Sequence, residues 1–176
     1  ILDKAFRLAE SGRPGPVLIS IPMDVFSVKI DEELFNRTFK DSSETIKPAL
    51  APSAAKAIAK KLIEAKNPVI HAGGGILLAG ASEELRQLVE FLDIPVSRTL
   101  MGQGCLSDTH PLMLGQTGFW GLEFTHKFTA NADVILGLGT RFAEADSSSW
   151  YTGVTFDMNK TEFLQIDIDP AEIGRN

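Results

Sequence analysis

Short apolar runs alternate with segments of helical periodicity from residue 51 to the end of the chain. We predict strands at 68–72, 95–99, 133–139 and 162–168, and helices at 53–65, 82–92 and 121–131. Several of the predicted strands are apolar on both faces. Strands of this kind, separated by helices, form parallel sheets that are covered on both sides. The sequence therefore predicts an α/β domain with three layers, α/β/α, and a mainly parallel sheet.

The first 50 residues follow a different pattern. Residues 1–12 have helical spacing and reach a stop signal at Gly12, and the apolar run Val17–Ile21 is typical of a buried strand. Residues 27–50 are charged, mixed and poorly periodic, which predicts a long connector. We therefore expect a domain boundary near residues 25–50.

Composition narrows the classes of protein. The single cysteine, Cys105, excludes an intrachain disulfide and a cysteine-based metal cluster, and makes the cytoplasm the expected location. The apolar runs are too short to cross a membrane. A net charge of −6 without a basic stripe argues against nucleic acid as a partner. The chain has no initiating Met and stops where Asp169 would cap a helix, so we expect a piece of a longer polypeptide.

Ligands of open parallel sheets bind beyond the carboxyl ends of the strands. Four such ends are visible: Gly73–Gly75, Arg98–Met101, Gly139–Arg141 and Asp167–Asp169. The glycines of Gly73–Gly75 predict either a tight turn or the close approach of a ligand. Arg141 could bind a phosphate, or it could pair with Glu144 or Asp146. Asp167 is a candidate metal or ribose ligand.

The dinucleotide fingerprint G-x-G-x-x-G is absent from the first of these loops. Counting from Gly73, the last glycine of the fingerprint is replaced by Leu78. The helix that follows begins with Glu83 and Glu84, which would repel a pyrophosphate. Thr99 stands where a ribose-binding acid would be expected, and no lysine follows the glycines as a Walker A loop requires. The sequence therefore disfavours an NAD site.

No nucleophile and base occur in a recognisable set. We interpret His71 as a satisfied core residue, His110 as part of a turn and His126 as a helix-surface residue. Cys105 has no base nearby in sequence, and Ser147–Ser149 lack the G-x-S-x-G pattern. We therefore predict no catalytic residue and no metal ligand set.

Five segments, in this order and spacing, resemble thiamine-diphosphate-dependent enzymes of the acetohydroxyacid synthase and pyruvate oxidase group. They are SGRPGPVLISIPMDV, NPVIHAGGG, TLMGQG…HPLMLGQTG, ADVILGLGTRF and QIDIDPAEIGRN. The resemblance covers the whole chain. It implies that residues 1–25 end the pyrimidine-binding domain, that residues 26–50 are a linker, and that residues 51–176 are most of a Rossmann-like central domain with about six strands.

The resemblance implies a parent enzyme that is a transferase or lyase acting on 2-oxoacids as a decarboxylase or carboligase. Such a parent binds thiamine diphosphate and Mg²⁺ through domains outside these residues, so this chain alone should be inactive. The implied partners are the rest of the parent chain and further copies of it, as a homo-oligomeric dimer or tetramer. The alternatives are a non-catalytic nucleotide-binding or scaffold module and, less favoured, an NAD-dependent oxidoreductase.

Synthase members of this group hold FAD in the central domain, making them flavoproteins, and others hold ADP or nothing. The ligand contacts that the resemblance implies are Gly73, Gly74, Gly75, Thr99, Leu100, Met101, Thr117, Gly118, Gly139, Thr140, Arg141, Asp167 and Ile168. Two motifs depart from the synthase pattern. The synthase sequence R-F-D-D-R becomes R-F-A-E-A from Arg141, and G-M-H-G becomes G-F-W-G from Gly118. The loss of one arginine weakens the case for a diphosphate, and a decarboxylase or carboligase such as a sulfoacetaldehyde acetyltransferase fits as well as a synthase.

Overall fold

The computed structural model of the chain describes residues 1–38 and 48–176. These residues fall into two compact units, Ile1–Ala49 and Leu50–Asn176. The described helices of the first unit are α1 (Leu2–Glu10), α2 (Met23–Phe26) and α3 (Glu32–Thr38). The helix predicted over residues 1–12 is confirmed, whereas α3 falls inside the predicted connector. The connector's residues 39–47 lie outside the described residues.

The strand predicted at Val17–Ile21 is wrong. These residues have no ladder partner among the described residues, and Leu18 is 93% exposed. An apolar extended run becomes a strand only when a neighbour supplies hydrogen-bond partners for its backbone. The described part of this unit supplies none.

The second unit is a five-stranded sheet with helices. The helices are α4 (Pro52–Glu64), α5 (Gly75–Ala79), α6 (Ser82–Leu92) and α7 (Glu123–Asn131). The strands are β1 (Pro68–Ala72), β2 (Val96–Arg98), β3 (Met113–Gln116), β4 (Val134–Leu138) and β5 (Glu162–Ile166). Their order is β3-β2-β1-β4-β5, and every pair is parallel. The predicted α/β class and parallel sheet are confirmed, with five described strands where the resemblance implied about six.

Successive residues of β1 point to opposite faces, and each face has its own core. Ile70 and Ala72 belong to a cluster that includes Leu62 of α4 and Val89 of α6. Val69 belongs to the second cluster, on the other face. A central strand of a parallel sheet is buried on both sides, which is why these runs lack a polar face.

The second face is closed by α7 and by aromatic rings. Phe142, Phe156 and Phe163 pack edge to face, with centroids 5.6–5.8 Å apart, and Trp150 packs on the same group. Phe142 has a φ of 50°, and Ser148, Ser149 and Trp150 have φ values of 51°, 54° and 59°. We call the rings of Phe142, Trp150, Phe156 and Phe163, together with His71, the aromatic cluster.

Most element boundaries differ by one or a few residues from those that the sequence predicts, and one strand, β3, was not predicted. The helix predicted at 53–65 begins at Pro52, which takes the first helical position because its missing N–H needs no partner there. The glycine-rich stretch between the predicted strand at 95–99 and the predicted helix at 121–131 contains β3. Gly115 within that strand has a φ of 105°, and the β2–β3 register shifts at Val96/Ser97. Among the described residues, no helix is long and apolar enough to cross a membrane.

Candidate functional site

β1 and β4 are neighbours at the centre of the sheet. From β1 the chain adds β2 and β3 on one side, and it then returns to add β4 and β5 on the other side. The loops that follow β1 and β4 touch through bare backbone. A Cβ on Gly73 would lie 2.2 Å from the Gly139 carbonyl oxygen, and one on Gly75 would lie 2.6 Å from the Gly139 Cα. The Gly75 N–H donates to the same carbonyl at 3.0 Å. The group that approaches Gly73 and Gly75 is therefore the neighbouring loop, a contact that neither of the two interpretations of these glycines included, and the predicted ligand contact stays a prediction.

The loop after β2 joins the same edge. Thr99 accepts a hydrogen bond from the Gly102 N–H through its hydroxyl, at 3.0 Å, and so caps a short 3-10 turn. Gly74 faces this turn, because a Cβ there would lie 3.1 Å from the Met101 carbonyl oxygen. Leu100 and Met101 are left exposed. These two side chains offer an apolar surface at the carboxyl edge of the sheet.

The loop after β3 is held by the segment that follows β4. The Thr117 N–H donates to the Arg98 carbonyl at 3.0 Å, which continues the sheet by one residue. Gly118 has a φ of 84°, and a Cβ there would lie 2.0 Å from the Ala145 carbonyl oxygen. That same carbonyl accepts a hydrogen bond from the Phe119 N–H at 3.0 Å. The carboxyl ends of β3 and β4 are therefore bridged.

Charge at this edge centres on Arg141. Its guanidinium lies 4.0 Å from a carboxylate oxygen of the buried Glu172, which also binds Arg175 at 3.1 Å. Burial raises the pKa of the half-buried Asp146 carboxyl, while the Leu100 N–H and the charge of Arg141 act in the opposite direction. Arg141 thus already lies near a carboxyl group of its own chain, that of Glu172.

Asp167 and Ile168 lie beyond the end of β5, at the side of the other predicted residues. The Asp167 carboxylate accepts the Asp169 N–H at 3.0 Å, and Asp169 caps the following turn through Ala171, as the sequence predicts. Their strand joins the rest of the edge where the Gly139 N–H donates to the Ile166 carbonyl at 2.9 Å. Eleven of the thirteen predicted residues thus follow β1, β2, β3 and β4, and these two follow β5.

Sequence reasoning missed three residues at this edge. The Ala145 carbonyl oxygen and the Asp146 Cα would lie 2.0 and 2.7 Å from a Cβ on Gly118, and a carboxylate oxygen of Glu172 lies 4.0 Å from the Arg141 guanidinium. The sequence indicates Asp146 only as a possible ion-pair partner of Arg141. The sequence signal for this contact is the glycine at position 118. A glycine indicates that another part of the chain can approach closely, but it does not identify the approaching residue.

His71 is only half satisfied in the core. Its Nδ1 lies 3.0 Å from the Ser97 hydroxyl, and its Nε2 has no hydrogen-bond partner in the described part of the chain. Burial lowers the pKa of His71 to about 3, so the ring is neutral at physiological pH. The ring stacks on Phe142 at 5.3 Å. His126, predicted on a helix surface, has a buried Nε2 instead.

The described residues contain no group of three or more His, Cys, Asp and Glu that could hold a metal ion. Burial raises the pKa of the Cys105 thiol, which keeps it protonated and unreactive. What the carboxyl edge offers is therefore exposed apolar surface, backbone groups and the half-exposed guanidinium of Arg141, which suit binding rather than proton transfer.

A family model described as the central domain of thiamine pyrophosphate enzymes matches residues 55–176. The chain belongs to this family, and the matched residues are its central domain. The match coincides with the sheet unit described above, apart from the first residues of α4.

Curated relatives match nearly the whole chain. A probable acetolactate synthase large subunit from Methanocaldococcus jannaschii is 41% identical over 98% of this chain. Glyoxylate carboligase from Escherichia coli O157:H7 is 38% identical over 99%, and acetolactate synthase isozyme 3 large subunit from Escherichia coli K12 is 35% identical over 99%. The aligned part covers 29%, 28% and 30% of these relatives, so the chain spans less than a third of their length.

Proposed function

We propose that this chain belongs to a parent enzyme that decarboxylates a 2-oxoacid and joins the resulting fragment to a second carbonyl compound. The observation that carries this proposal is the pair of relatives named acetolactate synthase and glyoxylate carboligase, both similar to this chain along almost all of it. When bound in the parent, thiamine diphosphate with Mg²⁺ supplies the carbanion for this chemistry. Domains of the parent outside this chain would hold that cofactor.

The first unit would dock on another part of the parent. None of residues 1–35 is buried, although α1 is amphipathic and places Leu2 and Phe6 on its surface. An apolar helix face without cover is the pattern of an interface. We propose that residues 1–25 complete the pyrimidine-binding domain and that residues 26–50 are the linker to the central domain. A cytoplasmic, homo-oligomeric parent remains our expectation.

The carboxyl edge would hold a nucleotide, FAD or ADP. Leu100 and Met101, together with the exposed Phe119 and Trp120, fit a flat ring. The fit is poorer for a diphosphate, because Arg141 lies near Glu172 and a phosphate would have to compete with this carboxylate. The competing proposal is a scaffold role without nucleotide, favoured by the backbone contact of Gly73 and Gly75 with Gly139.

Activity can be tested with the chain and its parent side by side. The full-length parent, supplied with thiamine diphosphate and Mg²⁺, should release CO₂ from pyruvate or glyoxylate and form a carboligation product. The 176-residue chain under the same conditions should release none above the cofactor alone. Turnover by the isolated chain would contradict the proposal, as would a parent that is inactive on both 2-oxoacids.

Nucleotide binding can be tested on the 176-residue chain with its visible spectrum and by calorimetry with FAD, ADP and coenzyme A. Arg141→Gln should weaken binding of FAD or ADP about tenfold, because it removes the half-exposed cation that follows β4. Arg175→Gln is the matched control, since Arg175 also contacts Glu172 but follows the last turn. Absence of binding to all three compounds would support the scaffold role.

A further inference from the structure

Helix α7 carries its large apolar residues on the side that faces solvent. The residues that it buries completely are Thr125 and Thr129, whereas Phe124 is 56% exposed and Phe128 is 44% exposed. A helix on the surface of a soluble domain normally buries its apolar stripe and exposes its polar residues. Because α7 reverses this pattern, its outer side is suited to packing on a second surface.

Two threonine hydroxyls fix α7 on the sheet unit in this orientation. Thr125 Oγ1 donates to the Leu114 carbonyl of β3 at 2.6 Å, and Thr129 Oγ1 donates to the Thr155 carbonyl at 2.5 Å. A rotation of the helix that buried its phenylalanines would break both bonds, and unpaired buried polar groups are costly. The outward position of the two rings is therefore set by how the helix packs.

The outer side of α7 has an apolar row and a charged row. The rings of Phe124 and Phe128 contact each other with centroids 5.0 Å apart, and the exposed Leu122 precedes the helix. Glu123 and Lys127 each precede one of these phenylalanines, so they form a second row about 100° round the helix. Their charged groups are 2.8 Å apart and both side chains are exposed. The charged row is therefore negative at its N-terminal end and positive one turn later.

This pattern is complementary to itself when two copies of α7 lie antiparallel. A two-fold axis between the helices brings apolar row against apolar row and charged row against charged row, with the direction of one helix reversed. Phe124 then meets Phe128 of the partner subunit, and Glu123 meets Lys127 of the partner subunit. In a parallel pair each charge would meet its own kind. The charges therefore favour the antiparallel pair.

The exposed area on this side is large enough for a small interface. Five side chains contribute, each exposing roughly 120 Å² at about 200 Å² for a large side chain: Leu122, Glu123, Phe124, Lys127 and Phe128. Together they expose about 600 Å² per chain, and about 1,200 Å² in two copies is the lower limit of a standard interface. An interface of this size predicts a weak dimer.

We propose that the outer side of α7 binds a second copy of this chain, as an antiparallel pair of α7 helices about a two-fold axis. The proposal goes beyond the expectation of a homo-oligomeric parent, because it assigns the residues and the orientation of one contact between copies. It is independent of the proposed nucleotide site, whose side chains lie outside α7.

Sedimentation velocity of the 176-residue chain tests the contact. At about 100 μM the wild-type chain should sediment as a dimer with twice the mass of 19.1 kDa. Phe124→Asp should raise the dissociation constant about tenfold or more, because the contact would then bury an unpaired charge. Phe91→Asp is the matched control, since Phe91 is 86% exposed on α6, and this variant should dimerise like the wild type. A monomeric wild-type chain, or undiminished dimerisation of Phe124→Asp, overturns the proposal.

Charge reversal tests the orientation of the two helices. The Glu123→Lys chain has two positive charges in the charged row and the Lys127→Glu chain has two negative charges, so each alone should dimerise about fivefold more weakly than the wild type. An equimolar mixture should recover nearly wild-type association, because every lysine then meets a glutamate of the partner. Loss of the pair within one helix cannot explain this recovery, since both variants lack that pair. A mixture that associates no better than either variant alone overturns the antiparallel pair.

Discussion

The two units of this chain use similar apolar patterns with opposite outcomes. In the sheet unit, Ile70 and Ile135 are completely buried. In the first unit, none of residues 1–35 is buried, although α1 carries a well-formed apolar stripe with Phe6 on it. An apolar pattern therefore determines which face of a helix or strand can be buried, whereas burial itself requires a second surface that packs on that face. The sheet unit contains its partners, and the described part of the first unit does not.

The largest difference in stability between the two units is expected when one methyl group is added to each. Gly73→Ala should cost at least about 3 kcal/mol of unfolding free energy, because the new Cβ would overlap the Gly139 backbone. Gly15→Ala, where nothing lies within 4 Å of the new Cβ, should change it by less than about 1 kcal/mol. Urea denaturation followed by circular dichroism measures both. Equal losses would mean that the two units are packed alike.

Removing a large side chain from each unit gives the next effect in size. Ile135→Ala should lower the unfolding free energy by about 3 kcal/mol, since the residue is completely buried and leaves a cavity. Phe6→Ala should lower it by about 0.5 kcal/mol or less, because Phe6 is already in contact with solvent. Chemical denaturation of the two variants provides the comparison, and a larger loss for Phe6→Ala would count against an uncovered α1.

Lowering the pH should destabilise the sheet unit through protonation of His71. Burial holds the pKa of His71 at about 3 in the folded chain, below the ordinary value of 6.5 expected after unfolding. Between these values the unfolded chain binds a proton that the folded chain does not, so stability falls as the pH drops. The loss is about 1.4 kcal/mol per pH unit, or about 2 kcal/mol at pH 5.

The variant His71→Phe keeps a ring on Phe142 but cannot titrate, so this part of the pH dependence should disappear. Trp150→Phe, in the same aromatic cluster, should retain it. Denaturant midpoints at pH 7, 6 and 5 test both variants, and an unchanged slope in His71→Phe would refute the assignment.

The smallest effect is expected from removing the first unit altogether. A chain that begins at Leu50 should unfold with a free energy within about 0.5 kcal/mol of the whole chain's, because residues 1–35 bury no side chain. Thermal unfolding in matched buffers would show this as nearly equal midpoints. An unfolding midpoint that is lower by several degrees in the shortened chain would show that the first unit stabilises the second.

The regular sheet was predictable because burial on both faces leaves a strong signal. The strand at 68–72 and the helix at 82–92 have the predicted boundaries, and β4 and β5 lie within their predicted ranges. The strand Met113–Gln116 was missed because it is short and contains a glycine with positive φ, both of which mimic a loop. At Val17–Ile21 the local pattern was typical of a strand, but strand formation depends on a ladder partner that the pattern does not encode.

The site was less predictable than the fold, since it depends on contacts between distant residues. The strand-end rule located Gly73 and Gly139 at one edge, and the structure packs them together. Nothing local in the sequence could pair Ala145 with Gly118, because that contact joins the segments after β3 and β4, and these two strands are not neighbours in the sheet. Domain boundaries and nucleotide contacts stay predictions.

Ser148, Ser149 and Trp150 share a left-handed backbone conformation that costs roughly 1–2 kcal/mol per non-glycine residue. Trp150 offsets this cost by packing its ring on Phe142, Phe156 and Phe163. The turn places the Trp150 ring against its neighbours, and the ring contacts in turn offset the strain of the turn. The turn and the aromatic cluster therefore form a single cooperative unit, in which local backbone conformation and distant side-chain packing are gained or lost together.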